Sequence, residues 1–405
     1  MANDRRKILV ISPIPSHPHN AGNRARVYSL LTALETMGHQ VHFAHIQETP
    51  GDELTMQMYW GDRYYPIAYT APLTTRKSFP KRLEQRLWRK FKALLGDDPR
   101  YNYQIDDWYD PAISEVLSEL GQSLQPDVVM VEYVFFSKAL ECFPNVSLKL
   151  IDTHDIFAGR YQLYLAERKS PQWFSTNRQQ EDRGLRRADK IIAIQEKEAR
   201  LLGQRIGSDR IVTVGHLVPI DPVQRPADTC NLLFLGSMNP INVHTIEYFL
   251  REVFPLCKAK IPGIRLILAG EVGQAIDDRD DCLKLGSVDA LRTAYAQADI
   301  VINPILFGTG LKVKNIEALG FGKPLVTTSV GATGLEDGIG SAFLVADTPK
   351  QFAAEIVDLH NSIDRYNQLA LQAEQFAQRW NKLCLSSLSQ LISEATTTTL
   401  HAQQQ

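Results

Sequence analysis

Apolar residues along the chain fall into short uninterrupted runs separated by polar stretches. KILVISPI (7–14), VHFAHI (41–46), DVVMVEYV (127–134), LKLIDTHD (148–155), DKIIAIQ (189–195) and RIVTVGHLV (210–218) are rich in Val and Ile and show no polar alternation. Strands of that kind are buried on both faces, which predicts a parallel sheet covered by helices. The segment 23–37 has helical spacing and closes on Gly38. Residues 1–218 are therefore expected to form one α/β domain.

VPIDPVQRPADT (218–229) supplies three prolines and no periodicity, the composition of a linker. The alternation then resumes with NLLFLGSM (231–238), IRLILAGEV (264–272), LKLGSV (283–288), ADIVINPIL (298–306) and KPLVTTSV (323–330), with helices expected over 243–259 and 290–298. Residues 219–405 thus read as a second doubly wound domain. A helix over 349–392 follows, too long for one element and expected to break near Ser362, and the tail ATTTTLHAQQQ is expected to be disordered. Two such Rossmann-like sheets in tandem would face a cleft, where open α/β sheets take ligands at the carboxyl ends of their strands.

Composition narrows the function without naming it. A length of 405 residues suits two cores, and a net charge of −2 argues against a general nucleic-acid binder. Five cysteines without a CxxC pair fit reduced thiols in a cytoplasmic protein. His39, His42 and His45 span a helix end and a strand, so they share no face and no metal site is expected. The basic N-terminus leads into an apolar run that stops at prolines and reads as a first strand rather than a signal peptide. No run approaches the roughly 20 apolar residues that cross a bilayer.

The chemistry concentrates in GTGLKVKNIEALGFGKPLVTT (308–328), which reads as a Gly-rich turn, a short helix and a strand. Free N–H groups and the dipole at a helix start attract anions, and glycines let a ligand approach the backbone. On a helical wheel Lys314 and Glu317 lie about 60° apart, while Leu311, Ile316 and Leu319 spread toward the sheet. An ammonium there can meet a phosphate and a carboxylate can hold a ribose diol. The plainer reading is a Gly turn with a surface Lys–Glu pair. The spacing is neither GxxxxGK[ST] nor GxGxxG, so NTPase and dehydrogenase readings lose support.

The longer segment GTGLKVKNIEALGFGKPLVTTSVGATGLED closely resembles the donor-site signature of retaining glycosyltransferases of the GT-B fold, family 4 type (glycosyl transferases group 1). NLLFLGSMNPINVHTIEYFLREVFP, RADKIIAIQEKE and SHPHNAGNRARVYSLLTALETMGHQV resemble further segments of that family in the same order, so the likeness covers most of residues 7–345. It implies a nucleotide-sugar donor, as substrate and not cofactor, in the C-terminal domain, and an acceptor held mainly by the N-terminal one. By position it implies Glu317 at the ribose, the backbone of Gly308, Thr309, Gly310 and Leu311 at the diphosphate, and Val288 or its neighbours at the base. Gly22 would approach the diphosphate from the N-terminal domain, and His154 would contact the donor sugar. Gly236, Ser237 and Asn242 follow the first C-terminal strand, where many relatives carry an Arg and a Lys for the diphosphate. Thr309 stands where many carry the first Glu of Glu-x7-Glu. Lys312 and Lys314 are the substitutes on offer. The resemblance further implies metal-independent transfer with retention, by a same-face displacement in which the leaving phosphate helps deprotonate the acceptor.

On the acceptor side, Glu132 sits in an otherwise uncharged strand and is expected to face the cleft and orient a hydroxyl, the alternative being an arginine-paired carboxylate. RKSFPKRLEQRLWRKFKALLG (76–96) has eight basic residues against one acidic, with apolar positions at helical spacing. Such a helix can lie on an anionic membrane or pack on its domain with a solvated basic face. A glycan, a lipid-linked molecule or a small molecule is expected as acceptor, the lipid-linked one if that helix lies on a membrane. Two other functions share the architecture: a degenerate nucleotide-sugar binder without catalysis, and a nucleotide-sugar epimerase.

Overall fold

The computed structural model describes residues 5–72, 98, 100–171, 173–225, 230–288 and 290–402. The basic segment 76–96 lies outside the described residues. By packing, the chain divides into two compact units. One comprises Met1–Pro18, Leu30–Val214 and Leu385–Gln405, the other His19–Ser29 and Gly215–Cys384.

The first unit is built on a seven-stranded sheet in the order β3-β2-β1-β4-β5-β6-β7. Its strands are β1 (Lys7–Ser12), β2 (Gln40–Ile46), β3 (Tyr64–Ile67), β4 (Val128–Glu132), β5 (Leu148–Asp152), β6 (Lys190–Ala193) and β7 (Ile211–Thr213). All pair in parallel, with Ile8 opposite Val41 on one side and Val128 on the other. The uninterrupted Val/Ile runs are buried on both faces, as parallel strands under helices must be. The β3 strand, YYPI, escaped the sequence reading because Pro66 weakens a strand signal; it is tolerated at the sheet edge. His42 and His45 point to opposite faces of β2 and meet Tyr65 and Tyr64 hydroxyls at 3.0 and 3.3 Å.

The second unit carries a six-stranded parallel sheet in the order β10-β9-β8-β11-β12-β13. These are β8 (Asn231–Leu235), β9 (Arg265–Ala269), β10 (Cys282–Gly286), β11 (Ile300–Asn303), β12 (Leu325–Thr327) and β13 (Leu344–Val345). The helix expected over 243–259 is three pieces, Pro240–Tyr248, a π-helical turn Phe249–Val253, and Phe254–Lys258. Pro255 has no N–H to continue the ladder, so the turn before it widens. Its start is capped by Asn239, whose side chain accepts from the backbone N–H of Ile241 and Asn242.

The C-terminal helix breaks at Ser362, as expected, into Pro349–Asn361 and Ile363–Ala402. The tail departs from expectation: helix continues to Ala402. Extending a formed helix costs far less than nucleating one, so a polar tail can follow the ladder ahead of it. Among the described residues no helix is long and apolar enough to cross a membrane.

Candidate functional site

In the second unit, β11 leads into the glycine loop and then into a helix, Val313–Gly320. Gly308 and Gly310 take φ of 138° and 70°, values that side-chain-bearing residues rarely adopt. Lys312 is buried, and its ammonium donates to the carbonyls of Thr309 (2.8 Å) and Gly310 (2.7 Å). Expected as a cation for a phosphate, it also staples the loop, because those carbonyls need donors inside the fold. Behind the helix start, Asn315 accepts from Asn303 (2.8 Å) and donates to the Gly331 carbonyl (2.9 Å), while Thr327 donates to the Asn303 carbonyl (2.8 Å). This buried network locks the helix start to the ends of β11 and β12. The sequence hinted at it only as polar residues in apolar runs.

Lys314, expected as a point charge near the helix start, is held in place by two neighbours. Its Nζ lies 4.3 Å from the Phe234 ring centroid and donates to Asn242 Oδ1 at 2.9 Å. Asn242 Nδ2 in turn donates to the Ser237 carbonyl at 3.1 Å. Ser237, Asn242 and Lys314 therefore form one chain, which fixes the ammonium beside Asn242. Burial pushes Lys314 down to about 7, with Glu317 pulling it up and Lys312 pushing it further down. Gly236 and Gly270 bring two strand ends together: Val272 N–H donates to the Gly236 carbonyl at 3.1 Å, and a Cβ on Gly270 (φ 90°) would fall on that carbonyl oxygen.

Glu317 is buried, its Oε1 3.7 Å from His216 Nε2. The segment His19–Ser29 packs in this unit and brings Gly22 to the helix start, where an added Cβ would lie 3.4 Å from Val313 Cβ. His19 stacks on Tyr28 with centroids 4.6 Å apart; burial lowers its pKa while Glu317 pulls it up. Burial lowers Arg24 as well, against the pull of Glu271. Asn20 donates to Ser287 Oγ at 3.3 Å, beside Val288. The fold thus gathers Gly22, Ser237, Asn242, Lys314, Glu317 and the loop 308–311. It adds His19, Arg24 and His216, whose proximity no local pattern reveals.

In the first unit, Glu132 and Asp152 are paired residues at the ends of β4 and β5, with His154 two residues beyond. Glu132 was expected to be open to a ligand or bound to an arginine. It is wholly buried, and His154 Nε2 donates to its Oε2 at 2.5 Å, with Asp152 Oδ2 3.4 Å away. A carboxylate in an apolar strand needs a hydrogen-bond partner, and here that partner is the imidazole. Tyr133 stacks on His154 with centroids 4.0 Å apart, and both have positive φ, 69° and 57°. Ligand atoms of Glu132, Asp152 and His154 lie within 4.8 Å of one another, a set that can hold a cation. As the side chains stand, Glu132 and His154 hydrogen-bond directly to one another at 2.5 Å.

Buried Glu181 supports this end of the sheet. It accepts from the N–H of Phe157 and Ala158 and pairs with Arg205 at 2.6 Å.

Residues 229–362 match the family described as glycosyl transferases group 1. An "uncharacterized 44.6 kDa protein in cps region" of Klebsiella pneumoniae is 25% identical over 402 residues, covering 92% of this chain and 95% of that one. Solved structures similar in fold include the following three. Anabaena HepE in complex with UDP and glucose matches with a TM-score of 0.59 at 14% identity, over 97% of this chain and 100% of its own. The sucrose-phosphate synthase of Thermosynechococcus elongatus matches at 0.66 and 16%, with coverage of 97% and 100%. The pneumococcal O-GlcNAc transferase GtfA in complex with UDP and GlcNAc matches at 0.65 and 12%, with coverage of 96% and 99%. The two parallel sheets with flanking helices are the GT-B arrangement.

Proposed function

With residues 229–362 matching glycosyl transferases group 1 in a chain of GT-B fold, we propose that the protein transfers a sugar from a nucleotide-diphosphate donor to an acceptor hydroxyl, with retention and without a metal. The observation that carries this reading is the Ser237–Asn242–Lys314 chain beside the left-handed glycine loop. As the glycosidic bond breaks, the leaving diphosphate gains negative charge. Amides at the start of the helix Val313–Gly320 and the Lys314 ammonium are fixed in advance to receive that charge. Glu317, and His216 beside it, take the ribose hydroxyls. Retention follows from same-face attack, with the leaving phosphate taking the acceptor proton.

In the first unit we assign His154 to a sugar hydroxyl. Glu132 is a positioning residue that holds the imidazole from behind, as a carboxylate does for histidines elsewhere.

The test is incubation of the purified protein with UDP-, ADP- and GDP-sugars in excess chelator, together with methyl glycoside acceptors. Transfer with the product keeping the donor's anomeric configuration by NMR is expected. Inversion, or turnover only after a divalent cation is added, would overturn the corresponding part. The alternatives separate in the same assay. Binding without turnover points to a degenerate binder, motivated by Thr309, Ser237 and Asn242, and donor conversion without acceptor points to an epimerase.

A further inference from the structure

Three bulky residues in the left-handed region converge on one stack. Tyr133, His154 and Trp173 have φ of 69°, 57° and 67°. Such backbone persists only where the surroundings enforce it, and it gathers at ligand-binding places. Tyr133 and His154 are buried, whereas Trp173 is 38% exposed. The indole is nonetheless held on several sides. It meets Tyr133 edge-on at 5.2 Å, Phe135 at 5.6 Å and Phe157 at 5.8 Å, and the Arg160 guanidinium lies 5.5 Å from its centroid. Arg160 is itself fixed by Asp155 at 2.5 Å.

A large apolar ring, immobilised yet left partly uncovered, is a preformed contact surface whose ordering cost is met in folding. Its face is electron-rich. A pyranose offers the complement: one face of axial C–H groups, weakly positive and rigid, rimmed by hydroxyls. The Asp155–Arg160 pair and His154 give the surroundings polar partners for such hydroxyls, which an alkyl chain could not use.

We propose that Trp173 is the stacking platform of an acceptor subsite and that the acceptor is a carbohydrate, its pyranose ring lying on the indole next to the Tyr133–His154 stack. This rests on the glycosyl-transfer reading and narrows its acceptor to sugars, free or at the end of a longer molecule.

The test uses the full chain labelled with 5-fluorotryptophan, the Trp173 fluorine resonance being assigned with Trp173→Phe. Methyl glucoside, galactoside, mannoside and N-acetylglucosaminide are titrated in turn, with decyl phosphate as an apolar, anionic comparison. At least one glycoside should move the Trp173 resonance, and Trp173→Ala should weaken its binding about tenfold or more. Trp173→Phe, which keeps an aromatic face, should weaken it less. The proposal falls if no glycoside moves that resonance, if decyl phosphate alone does, or if the Ala variant, folded by circular dichroism, binds the glycoside as tightly as the wild type. Melting temperature with UDP, ADP and GDP is recorded in parallel. A rise with no glycoside contact defeats this inference and leaves the transfer reading standing, whereas no rise with any nucleotide strikes at the transfer reading itself.

Discussion

Lys314 gives the site a pH dependence of predictable sign. Its folded pKa is about 7, below the ordinary lysine value of 10.5. A nucleotide-sugar diphosphate favours the protonated form, so affinity for UDP-glucose should fall as pH rises from 6 to 8, measured calorimetrically. The residue's contribution to stability runs the other way. Between pH 7 and 10.5 the unfolded chain binds the proton and the folded one does not, so that contribution grows with pH. Lys314→Arg keeps its charge throughout and should flatten the affinity trend; an unchanged slope would rule Lys314 out as its origin. Lys314→Ala should cut turnover on the order of 10²-fold with little loss of stability.

Gly270 tests a different constraint. Gly270→Ala combines a φ of 90° with a collision on the Gly236 carbonyl and should cost about 2 kcal/mol or more in urea unfolding. Gly263→Ala, with nothing within 4 Å of the added carbon, serves as the control and should stay within about 0.5 kcal/mol.

Among elements, the Glu181–Arg205 pair braces two helices, Arg178–Leu185 and Glu196–Ile206, under the loop after β5. Arg205→Met leaves a buried carboxylate uncompensated and should destabilise by about 3–5 kcal/mol. Adding Glu181→Gln should recover part of that, and a double variant no better than the single would argue against the brace. The strands were legible because parallel strands are unbroken apolar runs. The helix Arg178–Leu185 was not, since RQQEDRGL has no apolar stripe and is defined by its Asn177 cap and the Arg205 contacts. The two-residue β13 is too short to carry a period. The glycine loop was legible from composition. The partners that decide what its lysines do were not, because Asn242 stands 72 residues from Lys314 and a loop's own carbonyls leave no mark in sequence.

At the scale of the whole molecule, a ligand that binds only the folded chain must raise its melting temperature. A nucleoside diphosphate at about 100 times its Kd should add about 2.7 kcal/mol. A panel of UDP, ADP and GDP therefore reads out which base the protein prefers. Gln224 and Arg225 of the linker are part of this folded state. Lys323 donates to the carbonyls of Gln224 (3.0 Å) and Ala298 (2.8 Å), and Arg225 pairs with Asp299 at 2.9 Å beneath Tyr366. The described end of a stretch that composition marks as a simple connector is thus anchored beside the second sheet.

The two compact units are not consecutive halves of the chain. Residues 19–29 pack with the later one and residues 385–405 with the earlier. Anyone building chimeras between this protein and a relative should therefore not cut once at the proline-rich segment. Exchanging 219–405 alone would seat one parent's Gly22 on the other's Val313. Moving 19–29 together with 215–384 would transplant an intact body.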